Sequence, residues 1–369
     1  MTLLARYLLR QNIFLLFTIL LVGTGLYILT DMFERLDMFL ESGVGPFTLI
    51  FFFVAKIPTI ISLILPAVYL IALVVQMNML ERSRELVALA SGGVSAHSIT
   101  RFVFFYGIAW ALMQLLFAQV IGVAGESVAT RIWQEDVRGN SMDESGIYGL
   151  WFTDANRIVR IYMAYPAKQR GDDITVYVLD GSGIGIDEIV KARSFRISAP
   201  DTWTLEDGER LIPARYAAEK FERYDMPISQ DLHAFQVGAQ AGVKPSQLSL
   251  TELGDTIARL ERAGSNVENL RTAWHAKLAY AASIIVMGVL ALIVSRQTNN
   301  IYKAMALSIL ITFFYYFLNT MCVSMGEKGF ISPPVAAWFA NVLFFGLGTL
   351  WLAWPGVLQQ LRRPRPAAR

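Results

Sequence analysis

The sequence predicts an α-helical membrane protein with six transmembrane helices and an inserted all-β, β-jellyroll-like domain, and three observations carry that expectation. Six charge-free apolar stretches are each long enough to cross a bilayer. Apolar residues make up 54% of the 369-residue chain and charged residues only 17%, a balance that suits lipid better than an aqueous core. Between the third and fourth stretches the pattern changes to short alternating segments, the period of strands rather than of helices.

A helix needs about 20 residues, at 1.5 Å each, to cross the roughly 30 Å hydrocarbon core. Residues 11–30, 57–80, 102–125, 278–295, 304–326 and 329–361 meet that length. The first is too long for the apolar region of a cleavable signal and lacks a small-x-small cleavage site, so it reads as a retained span. The second is expected to begin near Leu49, which takes Lys56 into its outer end. Pro58 and Pro66 inside it would kink the helix or leave carbonyls open. In the sixth, Pro333, Pro334 and Pro355 mark where the helix starts and stops.

Lys and Arg in short loops resist translocation and set orientation. Arg6 and Arg10 precede the first span, Arg82, Arg84 and Arg101 lie between the second and third, and Arg296 and Lys303 separate the fourth from the fifth. Arg362, Arg363, Arg365 and Arg369 close the chain. All fall on one side of a six-span arrangement, while the opposite short loops carry only Arg35, Lys56 and Lys328. Both termini are therefore expected in the cytoplasm, with 126–277 outside it.

Within that segment, 149–153, 157–163, 174–179, 189–197, 202–205 and 215–224 read as strands. Asp-Ala-Asn, Asp-Gly-Ser-Gly, Ala-Pro-Asp and Glu-Asp-Gly read as the turns between them. Such a series suggests an antiparallel sandwich or jelly roll, with Val159 and Ile161 facing inward. After Pro245 the period becomes helical: Leu250, Leu253, Ile257 and Leu260 share one face, and Gly264 ends a short amphipathic connector.

Signals for catalysis are missing. The chain has no G-x-x-x-x-G-K-[ST] to cradle ATP phosphates. His97, His233 and His275 have neither the spacing nor the Cys partners of a zinc site. No catalytic residue and no metal site is assigned. The single cysteine, Cys322, sits in an apolar run and reads as a packed thiol. A formal charge of +2, dispersed along the chain, does not suggest nucleic acid as a partner.

The loop between spans two and three is different. Leu80-Glu-Arg-Ser-Arg-Glu-Leu-Val-Ala-Leu-Ala-Ser-Gly-Gly has helix formers ended by a Gly pair, with Leu86, Leu89 and Ala90 apolar beside Arg82 and Glu85. So short a helix does not stand alone in water and must dock on a protein or on the lipid surface. On the outer side, Asp31-Met-Phe-Glu-Arg-Leu-Asp ends the first span. Arg35, Lys56, Arg131 and Lys328 are cations there that could snorkel to the interface or meet lipid phosphate, Lys56 foremost.

The flanked β segment, that loop, the stretch Leu248-Ser-Leu-Thr-Glu-Leu-Gly-Asp-Thr-Ile-Ala-Arg-Leu-Glu-Arg-Ala-Gly, and Trp274-His-Ala-Lys-Leu together resemble the LptF/LptG family of lipopolysaccharide export permeases. The Arg6-Tyr7 start, the two span-two prolines and Ser332-Pro-Pro-Val-Ala-Ala-Trp fit as well, so the resemblance covers essentially the whole chain. Gly149-Leu-Trp and Arg157-Ile-Val-Arg-Ile-Tyr look more like LptG than LptF. The chain departs from the family in three places. It has Asp31, Asp37 and Met38 where relatives carry Lys after span one, Ala281 where Pro is frequent, and no Pro in span three.

The resemblance implies spans one to three in 1–125 with a cytoplasmic coupling helix near 81–92, and a periplasmic β-jellyroll in 126–246. It implies a periplasmic connector in 247–277, then spans four to six and a basic cytoplasmic tail in 278–369. By position, Glu85 matches the acidic residue of the coupling helix, and Arg84, Leu86 and Gly92 its neighbours. The implied protein is a bacterial inner-membrane permease subunit paired with a paralogous permease, LptF if this chain is LptG, on an LptB-like ATPase dimer. It would extract lipopolysaccharide from the membrane, opening laterally at spans one and five. LptC-like and LptA-like periplasmic proteins would receive the lipid. ATP would be bound on the partner ATPase, with no cofactor on this chain. The alternative is a membrane-anchored ligand-binding sensor or scaffold, against which the lack of a sizeable cytoplasmic output domain speaks. An intramembrane lipid enzyme is disfavoured because the spans hold no paired carboxylates or His-Asp combination.

Overall fold

The computed structural model describes residues 3–93, 95–139, 146–180, 185–199, 201–215, 217–229, 245–262, 266–298 and 300–361. His233, Gly264, the interior of the turn after Asp180 and the four tail arginines lie outside the described residues. Two compact units are present: one comprises 1–37, 53–125 and 272–369, the other 38–52 and 126–271.

In the first unit, all but the last of the apolar stretches lie within longer helical stretches, because helix-forming charged flanks continue them. They are α1 (Leu3–Glu41), α2 (Pro46–Arg82) and α4 (Ala96–Phe117), with the short α3 (Glu85–Ser91) before α4. A π-helical turn at Ala118–Gly122 leads from α4 into α5 (Val123–Ile132), and a second follows at Trp133–Val137. After the β segment come α6 (Leu250–Arg262), α7 (Glu268–Gln297), α8 (Ile301–Glu327) and α9 (Pro333–Leu361). Among the described residues, six helical stretches are long and apolar enough to cross a membrane. α9 starts at Pro333 as expected but runs through Pro355 to Leu361, so that proline does not stop it.

α2 and α7 form the middle of the bundle: their most apolar stretches are 61% and 72% buried, against 17% for α1 and 22% for α8. In lipid the hydrophobic effect does not drive helices together, so close packing and interhelical hydrogen bonds must. Tyr69, Leu70, Leu73 and Val74 of α2 meet Ile284, Met287 and Val294 of α7 in one buried cluster. Asn12 Nδ2 donates to Gln76 Oε1 at 2.9 Å, and Gln76 Nε2 donates to the Leu8 carbonyl at 2.8 Å, tying α1 to α2. Tyr315 donates to Asn341, which donates to the Ala279 carbonyl, each at 2.7 Å, joining α8, α9 and α7.

The α2 prolines do not break the helix. Pro66 lacks the N–H that would bond the Ser62 carbonyl, and Gln114 Nε2 of α4 donates to that carbonyl at 2.8 Å instead. The Leu63 carbonyl accepts from the hydroxyls of Tyr280 and Tyr316.

The second unit holds a six-stranded antiparallel sheet in the order β1-β2-β3-β4-β5-β6. Its strands are β1 (Ile147–Asp154), β2 (Arg157–Tyr165), β3 (Arg170–Leu179), β4 (Ile186–Ala199), β5 (Thr202–Ile212) and β6 (Ala217–Met226). A flat sheet would hold β1 and β5 about 19 Å apart, four strand spacings of roughly 4.8 Å. Yet the rings of Phe152 and Trp203 are 5.9 Å apart, and Phe195 stacks on Trp203 at 4.8 Å. The meander therefore folds over on itself. Asp154 at the end of β1 accepts from Ser229 N at 3.3 Å and Ser229 Oγ at 2.8 Å, clasping the chain beyond β6.

The fold line is written in the backbone. Positions 149, 162, 173, 193, 207 and 222 fall opposite one another in register, and on alternate strands they hold positive φ: Gly149 at 65°, Asp173 at 52° and Asp207 at 55°. On either side of this row the inward parity switches: Val159 and Ile161 against Ala164 in β2, and Val190 and Ala192 against Phe195 in β4. Because neighbouring strands switch at the same row, register survives while the sheet bends. Glu-Asp-Gly, expected as a turn, lies inside β5 for this reason: Asp207 bends the strand where a chain reversal was read. Asp tolerates that conformation better than most L residues. Both Val159 and Ile161 face inward and are fully buried.

The connector helix α6 begins with a capping box: Glu252 Oε2 accepts from Ser249 N at 2.7 Å, and Ser249 Oγ accepts from Glu252 N at 3.3 Å. It buries Leu253, Thr256 and Leu260.

Candidate functional site

α3 follows α2 after only two residues. Arg84 adopts φ 60° and ψ 14°, the left-handed region, at a cost of about 1 kcal/mol for a side-chain-bearing residue. That one residue turns the chain out of α2 and into α3. The Gly92 N–H returns to the Ala88 carbonyl at 3.0 Å, and Gly93, at φ 82°, supplies the left-handed turn that ends the helix.

Seven residues make no stable helix by themselves. α3 is held through Leu86, which packs against the buried α2–α7 cluster. Leu86, Leu89 and Ala90 line a recess of about 380 Å³ with Met77, Ile99 and Leu292. Glu85 is also turned toward the protein. Its Oε2 accepts from the Tyr7 hydroxyl at 2.8 Å, and its Oε1 lies 2.9 Å from the Ser83 hydroxyl donor. Val87 faces away and is 68% exposed, beside exposed Ala88 and Ser91. Sequence reading assigned neither Tyr7 nor Val87. The signal available for Val87 was an apolar residue off the Leu86–Leu89 face; nothing in the sequence marks Tyr7 as a neighbour of Glu85, 78 positions away.

Two of the four outer cations come together. Lys56 Nζ of α2 lies 2.6 Å from Asp31 Oδ2 of α1, and Arg35 Nε lies 2.9 Å from Asp31 Oδ1. Asp31 is buried, so its charge is held where only such partners make it tolerable. Asp31 thus gathers cations from two helices around one carboxylate.

Lys328 lies elsewhere, at the rim of a groove of about 520 Å³ on α8 lined by Phe313, Phe317, Met321, Met325 and Phe330. The groove joins an apolar floor to a cation, the two chemistries of a phosphorylated lipid. Arg131 belongs to the other unit, where it forms an exposed pair with Glu135, one helical turn away, at 3.0 Å.

A family model described as lipopolysaccharide export system permease LptF/LptG matches residues 6–354, nearly the whole chain. No curated protein matches it. The family model covers both paralogues together and does not divide one from the other.

Proposed function

The chain belongs to the LptF/LptG family of lipopolysaccharide export permeases, and we propose that it is one permease subunit of an ABC-type exporter whose ATP is hydrolysed on a separate LptB-like ATPase dimer. It is a multi-pass inner-membrane protein. The observation that carries the reading is α3: a helix too short to be independent, seated by Leu86 and Leu89, with Val87 turned outward. That outward face is the contact offered to the ATPase.

In this reading both termini and α3 are cytoplasmic, in keeping with Arg6, Arg10, Arg82, Arg84, Arg101, Arg296 and Lys303, and the β unit is periplasmic. The weakly buried faces of α1 and α8 meet the paralogous permease and admit lipid between them. Acyl chains lie along apolar surfaces such as the α8 groove, and phosphates meet Lys328 or the Lys56–Asp31–Arg35 cluster. The sheet edges β1 and β6 offer backbone pairing to LptC-like and LptA-like proteins that carry the lipid on.

The test is purification of the tagged chain from detergent-solubilised membranes with an ATPase assay and mass spectrometry. The natural chain is expected to bring down an LptB-like ATPase, and Val87→Asp to reduce its recovery by at least about tenfold, the scale of a hot-spot contact. Absence of any ATPase with the natural chain overturns the reading.

A further inference from the structure

We propose that Tyr7 is the positioning residue through which α3 is coupled to α1. The inference rests on reading α3 as the ATPase-docking helix and goes beyond it by naming the route from that helix into the membrane. The Tyr7 hydroxyl, on the second turn of α1, donates to Glu85 Oε2 at 2.8 Å. Glu85 is the first residue of α3, directly after the left-handed Arg84. The backbone therefore connects α3 to α2 through a sharp turn rather than a continuous helical rod. The bond from Glu85 spans 78 positions of sequence to reach α1. The Glu85 carboxylate sets one oxygen against the Tyr7 hydroxyl and the other near that of Ser83, whose single proton also faces the Met79 and Leu80 carbonyls, so the Tyr7 contact is the one that reaches another span.

Glu85 is thus turned inward to α1, while Val87 is turned outward. A partner that grips the outer face of α3 and shifts it pulls on the start of α1 through a charge-assisted hydrogen bond, the stronger kind. The start of α1 is joined to α2 through Leu8, Asn12 and Gln76, so a pull on Tyr7 acts at a defined joint, while the central stretch of α1 beyond it is only 17% buried and is the part left to follow. Docking and transmission fall to different residues of one short helix: Val87 engages the ATPase, and Glu85 with Tyr7 passes the displacement on.

The experiment uses the complete complex of both permeases and the ATPase, reconstituted in vesicles containing lipopolysaccharide, with ATP hydrolysis and lipid release measured together. Tyr7→Phe is expected to leave ATPase recovery and ATP hydrolysis within about twofold of the natural complex. Lipid released per ATP should fall about tenfold, the scale of one hydrogen bond to a charged group. Tyr7→Phe combined with Glu85→Gln should fall no further than either change alone, as for two ends of one interaction. Tyr7→Lys, which places a donor of similar reach before the same carboxylate, should recover release. A purely structural role for Tyr7 would lower recovery of the complex and would not be rescued by lysine. If Tyr7→Phe releases lipid normally while Glu85→Ala does not, the proposal is overturned and α3 stands as the docking helix. If Val87→Asp and Glu85→Ala also leave recovery and release unchanged, the docking reading itself fails, and the proposal with it.

Discussion

Asp31 shows how one side chain decides what two others can do. Arg35 and Lys56 look like separate cations near the outer ends of two spans, but both lie against the same buried carboxylate. The Asp31–Arg35 half of this was legible, since four residues along a helix bring the two to one face. The Lys56 half was not, because a pair 25 positions apart depends on how α1 and α2 pack. Asp31→Asn removes the buried carboxylate that both cations meet, so the purified protein is expected to lose about 3 kcal/mol of stability, measured by thermal unfolding in detergent. The same change removes one internal competitor for a phosphate, so lipopolysaccharide should be retained more tightly during purification, measured as lipid per protein. Loss of stability with no change in retained lipid would assign the cluster to holding α1 against α2 and nothing more.

Among elements, α2 is the one whose sequence announced a problem without its solution. Pro66 had to leave a carbonyl without its helical donor, and the structure answers with Gln114 from α4. No periodicity argument could have chosen Gln114, because the choice follows from which helix lies beside the proline. Gln114→Leu removes a donor from a buried carbonyl in a setting with no water to replace it, so about 1–3 kcal/mol should be lost, read as a lower unfolding temperature. The hairpin joining β1 and β2 was legible from Asp-Ala-Asn, though Ala155 occupies φ 54°. Ala155→Gly should therefore stabilise the β unit by about 0.5–1 kcal/mol, measured by resistance to protease. Glu-Asp-Gly misled because residues that permit positive φ serve a bend within a strand as well as a turn between strands. Single-strand reading cannot separate the two; the row becomes visible only when all six registers are laid side by side.

At the scale of the whole molecule, the six spans and the β insertion were read correctly because length, apolarity and alternation are strong local signals, whereas the closure of the β unit is a long-range property. Its interior is filled, with Val159, Ile161, Ile174, Val176 and Trp203 fully buried. A charge placed at Val159 or Ile161 would unfold the sheet before it could stall a lipid, so such variants test stability rather than transfer. A better test joins Asp154→Cys to Ser229→Cys with a short cleavable thiol reagent, in a chain whose Cys322 is replaced by Ala. If lipid travels through this unit, the bridged complex should hydrolyse ATP while passing little lipid to the periplasmic acceptor, and cleavage of the reagent should restore transfer. Unimpeded transfer with the bridge in place would put the lipid's path outside the folded sheet. The bend also constrains how such a sheet can diverge. Deleting or inserting one residue between a hairpin and the row at positions 149, 162, 173, 193, 207 and 222 would turn half of that strand inside out against its neighbours. Changes of length are therefore confined to the hairpin tips, and the spacing from tip to crease becomes an inherited measure that point substitutions alone can embroider.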